Sequence, residues 1–195
     1  MLIDQTLVWQ ATEEGARLVD DPRARHMLEV LTEHSKAEVD GDLERVMATL
    51  VTDPEYHFWL DGRDSGPKGR TQVTAFYESL LGSGAGLVEA PKVRVVAGQD
   101  CVATESVVRH VMPGNVAGDN GYLVDNRDGY YLVWYRMVVF WPFSTDGLLV
   151  GEDFFLNRNM TDIRALGEEE VSEAVEQLGL LTALRPNWVM ADKSW

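Results

Sequence analysis

Cysteine is almost missing from this chain. Cys101 is the single one in 195 residues, so no internal disulfide can form and no thiolate metal cluster can be assembled. That usage points to a reducing compartment, the cytosol. Basic residues are also scarce, 17 Lys and Arg against 32 Asp and Glu for a net charge of −15, and they are scattered along the chain. Binding phosphates needs clustered cations that displace counterions, so neither nucleic acid nor an anionic membrane surface is the expected partner. No apolar run reaches the roughly 20 residues of a membrane span. The most apolar stretch, 130–143, is interrupted by Arg136. The start, MLIDQTLVWQ, carries Asp4 and no basic segment, and does not read as a signal peptide. Metal-ligand spacings such as H-E-x-x-H are lacking, as is G-x-S-x-G, and Gly82, Gly84 and Gly86 lack the strand-to-helix context of a nucleotide loop. No metal and no cofactor is therefore expected.

What is present is apolar substance: 45% hydrophobic residues, with six each of Trp, Tyr and Phe. That is ample to offset ordering entropy despite the charge. The length favours one domain over 1–195, with a core at 22–160, an extension at 1–21 and a helix and tail at 161–195. Between 22 and 39, Ala24, Met27, Leu28, Leu31 and Ala37 recur at helical spacing after Asp20 and Asp21, and Gly41 ends the helix. Asp42 then caps a short helix with Leu43, Val46, Met47 and Leu50 as its buried stripe, stopped by Asp53-Pro54. EYHFWL at 55–60 is a short strand, and 71–81 returns to helical spacing through Val73, Phe76, Tyr77, Leu80 and Leu81. From Lys92 the period becomes that of strands, in KVRVVAGQ, CVATESVVRHVM, YYLVWYRMVVFWPF and LLVGEDFFLN. Helices followed by a meander predict an α+β domain with helices on one face of a curved sheet. The 113–129 connection is long for a hairpin and is a candidate lid. A short acidic helix at 168–178 and a tail with Trp188 and Trp195 close the chain.

Three segments, GDLERVMATLVTDPEYHFWLDG, GRTQVTAFYESLL and FSTDGLLVGEDFFLN, resemble the SnoaL-like branch of the nuclear transport factor 2-like superfamily. The pattern is Gly-Asp with a short helix, an acid before the first strand, a Gly opening the third helix, and Phe-x-x-x-Gly-x-Ile-x-x-Glu in the last hairpin. It runs in order from about residue 24 to 158. The resemblance implies a cone, in which three N-terminal helices close the concave face of a strongly curved, mostly antiparallel sheet around an apolar pocket. Its members include ketosteroid isomerases, polyketide cyclases, epoxide hydrolases, dehydratases and non-catalytic binding modules, so the residues in the pocket must decide between them.

Alignment with the isomerase pattern assigns an inward parity to each strand. It gives Tyr56, Phe58 and Leu60 on the first strand, Glu105, Val107 and Arg109 on the long one, and Val150, Glu152 and Phe154 on the last. His34 and Tyr77 project from helices, and the phase that would place Arg136 inward or outward stays open. The isomerase's base aspartate falls on Phe58 and its oxyanion-donating tyrosine on His34, which argues against ordinary ketosteroid isomerisation, since a phenyl ring cannot abstract a proton. Glu105, Glu152, Arg109 and His34 become the candidate catalytic set, with the two acids for proton transfer, Arg109 for tuning and His34 for orientation. A carboxylate–Arg–carboxylate set also resembles that of the superfamily's epoxide hydrolases, although the spacing does not match clearly. The alternative for Glu105, Arg109 and Glu152 is an ion-pair network between strands. Tyr56, Phe58, Leu60, Tyr77, Val107, Arg136 and Phe154 are the candidate ligand contacts. His57 and His110 take the outward parity.

The expected function is acid–base chemistry on an apolar or polycyclic small molecule: isomerisation, cyclisation, dehydration or epoxide hydration. A non-catalytic binding or dimerisation module of the same fold is the alternative. A small subunit like the β chains of ring-hydroxylating dioxygenases is a third, disfavoured by the absence of their characteristic opening segment. An uncovered apolar face bearing Val108, His110 and Met112 predicts a homodimer through the outer side of the sheet.

Overall fold

The computed structural model describes residues 1–60, 62–83, 85–156 and 161–183. Gly84 and the tail with Trp188 and Trp195 lie outside them. A 3-10 turn at Gln5–Val8 leads into α1 (Gln10–Leu18), two elements in the 1–21 extension beyond the three helices expected. α2 (Pro22–Asp40) begins where Asp21 accepts a hydrogen bond from the Ala24 N–H at 2.7 Å, with Pro22 preset in the first turn. Gly41, at φ 65°, ends it in the left-handed conformation that glycine adopts without steric cost. Asp42 at once caps α3 (Leu43–Ala48) by accepting from the Arg45 N–H at 3.0 Å. α4 (Gly69–Gly82) follows the strands β1 (His57–Leu60) and β2 (Arg63–Asp64).

The sheet continues with β3 (Leu87–Glu89), β4 (Lys92–Ala97), β5 (Cys101–Pro113), β6 (Tyr130–Pro142), β7 (Asp153–Leu156) and β8 (Asp162–Ala165). Its order is β2-β1-β7-β6-β5-β3, with β4 also on β5 and β8 also on β6. β5 and β6 pair antiparallel along their whole length, from Cys101 opposite Pro142 to Pro113 opposite Tyr130. β1 and β7 pair in parallel. The result is the α+β cone that the sequence predicts, an open, curled sheet with α2, α3 and α4 against its concave face. Among the described residues no helix is long and apolar enough to cross a membrane.

The core fixes which residues face inward. Met27, Leu31 and Ala37 of α2, Val46 and Met47 of α3, and Val73, Tyr77 and Leu81 of α4 pack with Tyr56, Val102, Val139, Trp141 and Leu149. On β5 the inward positions are therefore Val102, Thr104, Ser106 and Val108, all buried, and on β6 they include Val139 and Trp141. This reverses the parity predicted for β5. Glu105, Val107 and Arg109 face the other side, and Arg136 joins them there. The reversal has a physical source: both parities of β5 alternate acceptably between apolar and polar residues. The β6 register then selects the even one, because Val102 and Thr104 pair with Trp141 and Val139. His110, expected outside, is buried, and its Nε2 lies 2.6 Å from the Ala85 carbonyl. Val108 and Met112 are buried with it and form no outer patch.

The long 113–129 connection contains α5 (Gly114–Asp119), whose Ala117 is buried against Met112, Val133 and Ala85, with Val116, Tyr122 and Val124 around it. It is a packed cover over the far end of the sheet's inner face. On the opposite side, Leu2, Ile3 and Ala174 of α6 (Glu168–Ala183) pack on Leu87, Val111 and Leu132.

Gly151 couples this frame to the residues that follow it. A Cβ there would overlap the Glu55 carbonyl oxygen, because β7 is entered through backbone hydrogen bonds from Glu55 to Val150 and from His57 to Glu152. Gly151→Ala is expected to destabilise the protein by about 3 kcal/mol, read as a lower urea midpoint at unchanged slope.

Candidate functional site

Beneath α2 and α4 a group of polar side chains gathers in an otherwise apolar interior. His34 and Glu38, four residues apart on α2, lie on one face of that helix. Tyr77 comes from α4, Tyr56 from the residue before β1, and Glu152 from the residue before β7. The Tyr77 hydroxyl is at the centre: 2.8 Å from Tyr56 Oη, 3.0 Å from His34 Nε2, 2.9 Å from Glu38 Oε1 and 3.2 Å from Glu152 Oε1. His34, Tyr56 and Tyr77 have no exposed surface. Trp141 packs edge-on against the His34 ring at 6.0 Å and anchors its own indole N–H on Thr104 Oγ1 at 3.0 Å. Half-buried Phe58, Phe76, Phe154 and Met137 border the group.

Hydrogen-bond arithmetic orients the imidazole. The Thr49 hydroxyl donates its single proton to the Val46 carbonyl at 2.6 Å. It must therefore accept from His34 Nδ1–H, 2.7 Å away. Nε2 is left facing Tyr77 and, at 3.5 Å, Glu38.

The acids differ sharply in electrostatics. Burial pushes the Glu152 carboxyl up, and the neighbouring charge of Glu38 adds to this, bringing it to about 8. Burial acts on Glu38 too, but the His34 charge and the hydrogen bonds from His34 and Tyr77 outweigh it and hold Glu38 below the ordinary carboxylate range. Burial likewise works against the His34 imidazolium, yet Glu38 more than compensates, so His34 is raised. Both tyrosines are pushed well above the usual phenol range, by burial first and then by the neighbouring acids. At neutral pH Glu152 keeps its proton and Glu38 is ionised, with the His34 imidazole 3.5 Å from it. Two carboxyl groups whose surroundings drive their affinities for protons apart are the mark of an acid and base assignment. The Glu38 side chain, although deep in the fold, retains 25% of its surface, and Glu152 is half-buried, so a recess reaches down to the acids.

His34, Glu38 and Glu152 also bring one donor atom each to within 4.8 Å of one another, a spacing that suits a small cation. The Tyr77 hydroxyl lies within 3.2 Å of all three of these atoms.

The residues named from sequence divide cleanly. His34, Tyr56, Tyr77 and Glu152 come together, with Phe58 and Phe154 stacked edge-on beside them at 5.8 Å. Leu60 is half-buried at the end of β1. Glu105 is not in the recess: on the outer face it pairs with Arg94 and, at 2.8 Å, with Arg136 Nε. Arg109 binds Glu89 Oε1 at 2.7 Å and the Leu2 carbonyl at 3.3 Å, tying the N-terminal residues to β3. Val107 is an outer-face residue, 38% exposed. Two residues were missed, Glu38 and Lys92. The i,i+4 spacing of His34 and Glu38 was the available signal for the first. Lys92 is brought inward by a bulge in β4 between Lys92 and Arg94, which simple alternation cannot anticipate.

No protein-family model and no curated protein sequence matches the chain. Solved structures do match in fold. The epoxide hydrolase/cyclase-like enzyme SalBIII, with a role in pyran ring formation in the polyether salinomycin, superposes with a TM-score of 0.53 at 14% identity over 71% of this chain and 95% of its own. RV0760c from Mycobacterium tuberculosis, in complex with estradiol-17beta-hemisuccinate, gives 0.52 at 17% identity over 70% and 98%. A protein from Jannaschia sp. CCS1 described as a SnoaL-like polyketide cyclase gives 0.55 at 16% identity over 71% and 90%. The fold is thus the SnoaL-like, nuclear transport factor 2-like cone, and at these identities the likeness is one of fold.

The Glu152 assignment has a measurable consequence. Its value near 8 in the folded protein exceeds the 4.5 of a free carboxyl, so its stabilising contribution is complete below about pH 4.5, shrinks as pH rises and is lost above about pH 8. Thermal melts from pH 5 to 9 are therefore expected to show Glu152→Gln gaining on the wild type as pH rises. A constant difference across that range would contradict the assignment.

Proposed function

We propose that the protein binds an apolar or polycyclic small molecule in the cone and carries out general acid–base chemistry on it, of the isomerisation, cyclisation, dehydration or epoxide-hydration kind. The observation that carries this reading is the pair Glu38 and Glu152 held around one phenol hydroxyl in an apolar recess, with opposite shifts in proton affinity. Glu152 is the general acid, since it holds a proton at neutral pH and faces the recess. Glu38, ionised beside His34, is the counterpart that takes a proton, and Tyr77 links the two so that a proton released at one acid can be restored through the other. Tyr56 and His34 position Tyr77. Phe58, Phe76, Phe154 and Met137 supply the apolar contacts. None of these reaction classes requires a cofactor. The steroid ester bound by the Mycobacterium tuberculosis neighbour and the cyclase chemistry of the salinomycin enzyme support a ligand of this size and character.

Turnover of epoxides, enones and linear polyketide mimics is the direct test. With a substrate in hand, Glu152→Gln is expected to lower kcat by about 10²- to 10⁴-fold, with a smaller change in KM. Binding without turnover by the wild type, unaffected by Glu152→Gln, would instead identify a non-catalytic binding module.

The outer face of the sheet supports a homodimer, in a cytoplasmic protein. Trp59 stacks on Phe155 at 6.3 Å, Phe140 meets Phe155 edge-on at 5.9 Å, and all three remain about 40% exposed. The Glu105, Arg94 and Arg136 ion network lies beside them on the same face. An aromatic strip of this kind is the type of surface a second copy covers. In sedimentation, Phe155→Glu is expected to convert a dimer to a monomer.

A further inference from the structure

Two polar groups on the inner face of the sheet take no part in the Tyr77 cluster, and among the described residues neither makes a hydrogen bond. Lys92 stands opposite Ser106 in the β4–β5 ladder, on the same face of the sheet, a placement that brings the two side chains within about 5 Å at their Cβ atoms. The Ser106 hydroxyl is fully buried and makes no hydrogen bond. Its neighbours explain why: along β5 the Thr104 hydroxyl is taken by Trp141 and Val108 is apolar, and across the other ladder stands Met137. Lys92 is half-buried and, among the described residues, makes no hydrogen bond and no ion pair. Lysines rarely sit so deep unpaired, and a buried hydroxyl without a partner costs stability.

Both groups can donate hydrogen bonds, and the ammonium can do nothing else. The charges of the recess lead to the same point. Burial pulls Lys92 down to about 8, with Glu38 and Glu152 opposing that pull, so the amine is still mostly charged at pH 7 and lies within electrostatic reach of both acids. In a chain of net charge −15, a half-buried ammonium opposite a buried hydroxyl without a partner offers donors only, and such a place suits an anion.

We propose that Lys92 and Ser106 hold a carboxylate of the ligand, so that the molecule taken up by the cone is an apolar acid. The inference rests on reading the cone as a pocket for an apolar small molecule and adds the chemical class. The ligand's acid end docks at the β4–β5 ladder, its hydrocarbon body lies along Phe58, Phe76 and Phe154, and the Glu152 proton is beside it. Lys92 and Ser106 act here as binding residues, distinct from the acid pair.

The test compares estradiol with estradiol-17β-hemisuccinate, the same skeleton without and with a carboxylate, by calorimetry on the full chain at pH 7. The wild type is expected to favour the hemisuccinate by about tenfold to a hundredfold, the size of a charge-assisted hydrogen bond. Lys92→Met is expected to bring the ratio of the two affinities close to one, and Ser106→Ala to reduce it about threefold or more. Should Lys92→Met fail to fold, the wild-type ratio and Ser106→Ala still decide. Equal affinity of the wild type for both compounds, or a ratio unchanged in both variants, would overturn the carboxylate anchor and leave the apolar pocket standing. Failure of the wild type to bind either compound would overturn the pocket reading and the anchor with it.

Discussion

The Tyr77 hydroxyl has one proton to give and two lone pairs to fill, yet four polar atoms surround it. The nearer and ionised acceptor, Glu38 at 2.9 Å, takes the proton. Tyr56, whose hydroxyl has no other partner among the described residues, and His34 Nε2 fill the lone pairs. Glu152 Oε1 is the most distant of the four at 3.2 Å, and burial beside the Glu38 charge keeps its carboxyl protonated. The neighbouring His34, with the Tyr77 hydrogen bond beside it, thus makes Glu38 the charge, and burial beside that charge makes Glu152 the acid.

That oxygen is held in place from three directions. α2 presents His34 and Glu38 on one face, and its caps at Asp21 and Gly41 set its length. α4 carries Tyr77 in a fully buried position. β7 is drawn close to the segment before β1 by backbone hydrogen bonds that only glycine at 151 permits. The apolar residues around the cluster, Trp141 above all, exclude water and so enlarge the effect of each charge on its neighbours. The same low-polarity surroundings that raise Glu152 also lower Lys92, so the recess contains both an acid that keeps its proton and an amine that holds its own only loosely.

The outer face has a different logic. Glu105 lies between two arginines, partly in solvent, where an ion pair contributes little to stability but keeps charge beside the exposed aromatic strip of Trp59, Phe140 and Phe155. Arg109 serves to fasten the N-terminal residues through Glu89 and Leu2. These residues carry the composition of an active site, acids beside arginines, without its isolation from water. Composition alone could not distinguish them from Glu152.

The order of elements, the helix boundaries at Asp21, Gly41 and Asp42, the cone itself and the inward direction of Tyr56, Phe58, Glu152 and Phe154 were all legible in the sequence. The helix boundaries follow from local chemistry, a cap or a left-handed glycine, whereas the cone and the inward direction of those residues follow from the resemblance to the nuclear transport factor 2-like pattern. His34 and Tyr77 were legible through the same resemblance, with Tyr77 also on the helical stripe of 71–81. Three things were settled only by tertiary structure. The parity of β5 was one, because both of its faces alternate plausibly and the register against β6 makes the choice. The inward turn of Lys92 was another, because a single bulged residue moves a side chain across the sheet. The last was the partnership of Glu38 with Glu152, 114 positions apart. Alternation and periodicity are properties of neighbours along the chain, whereas a shared proton is a property of neighbours in space.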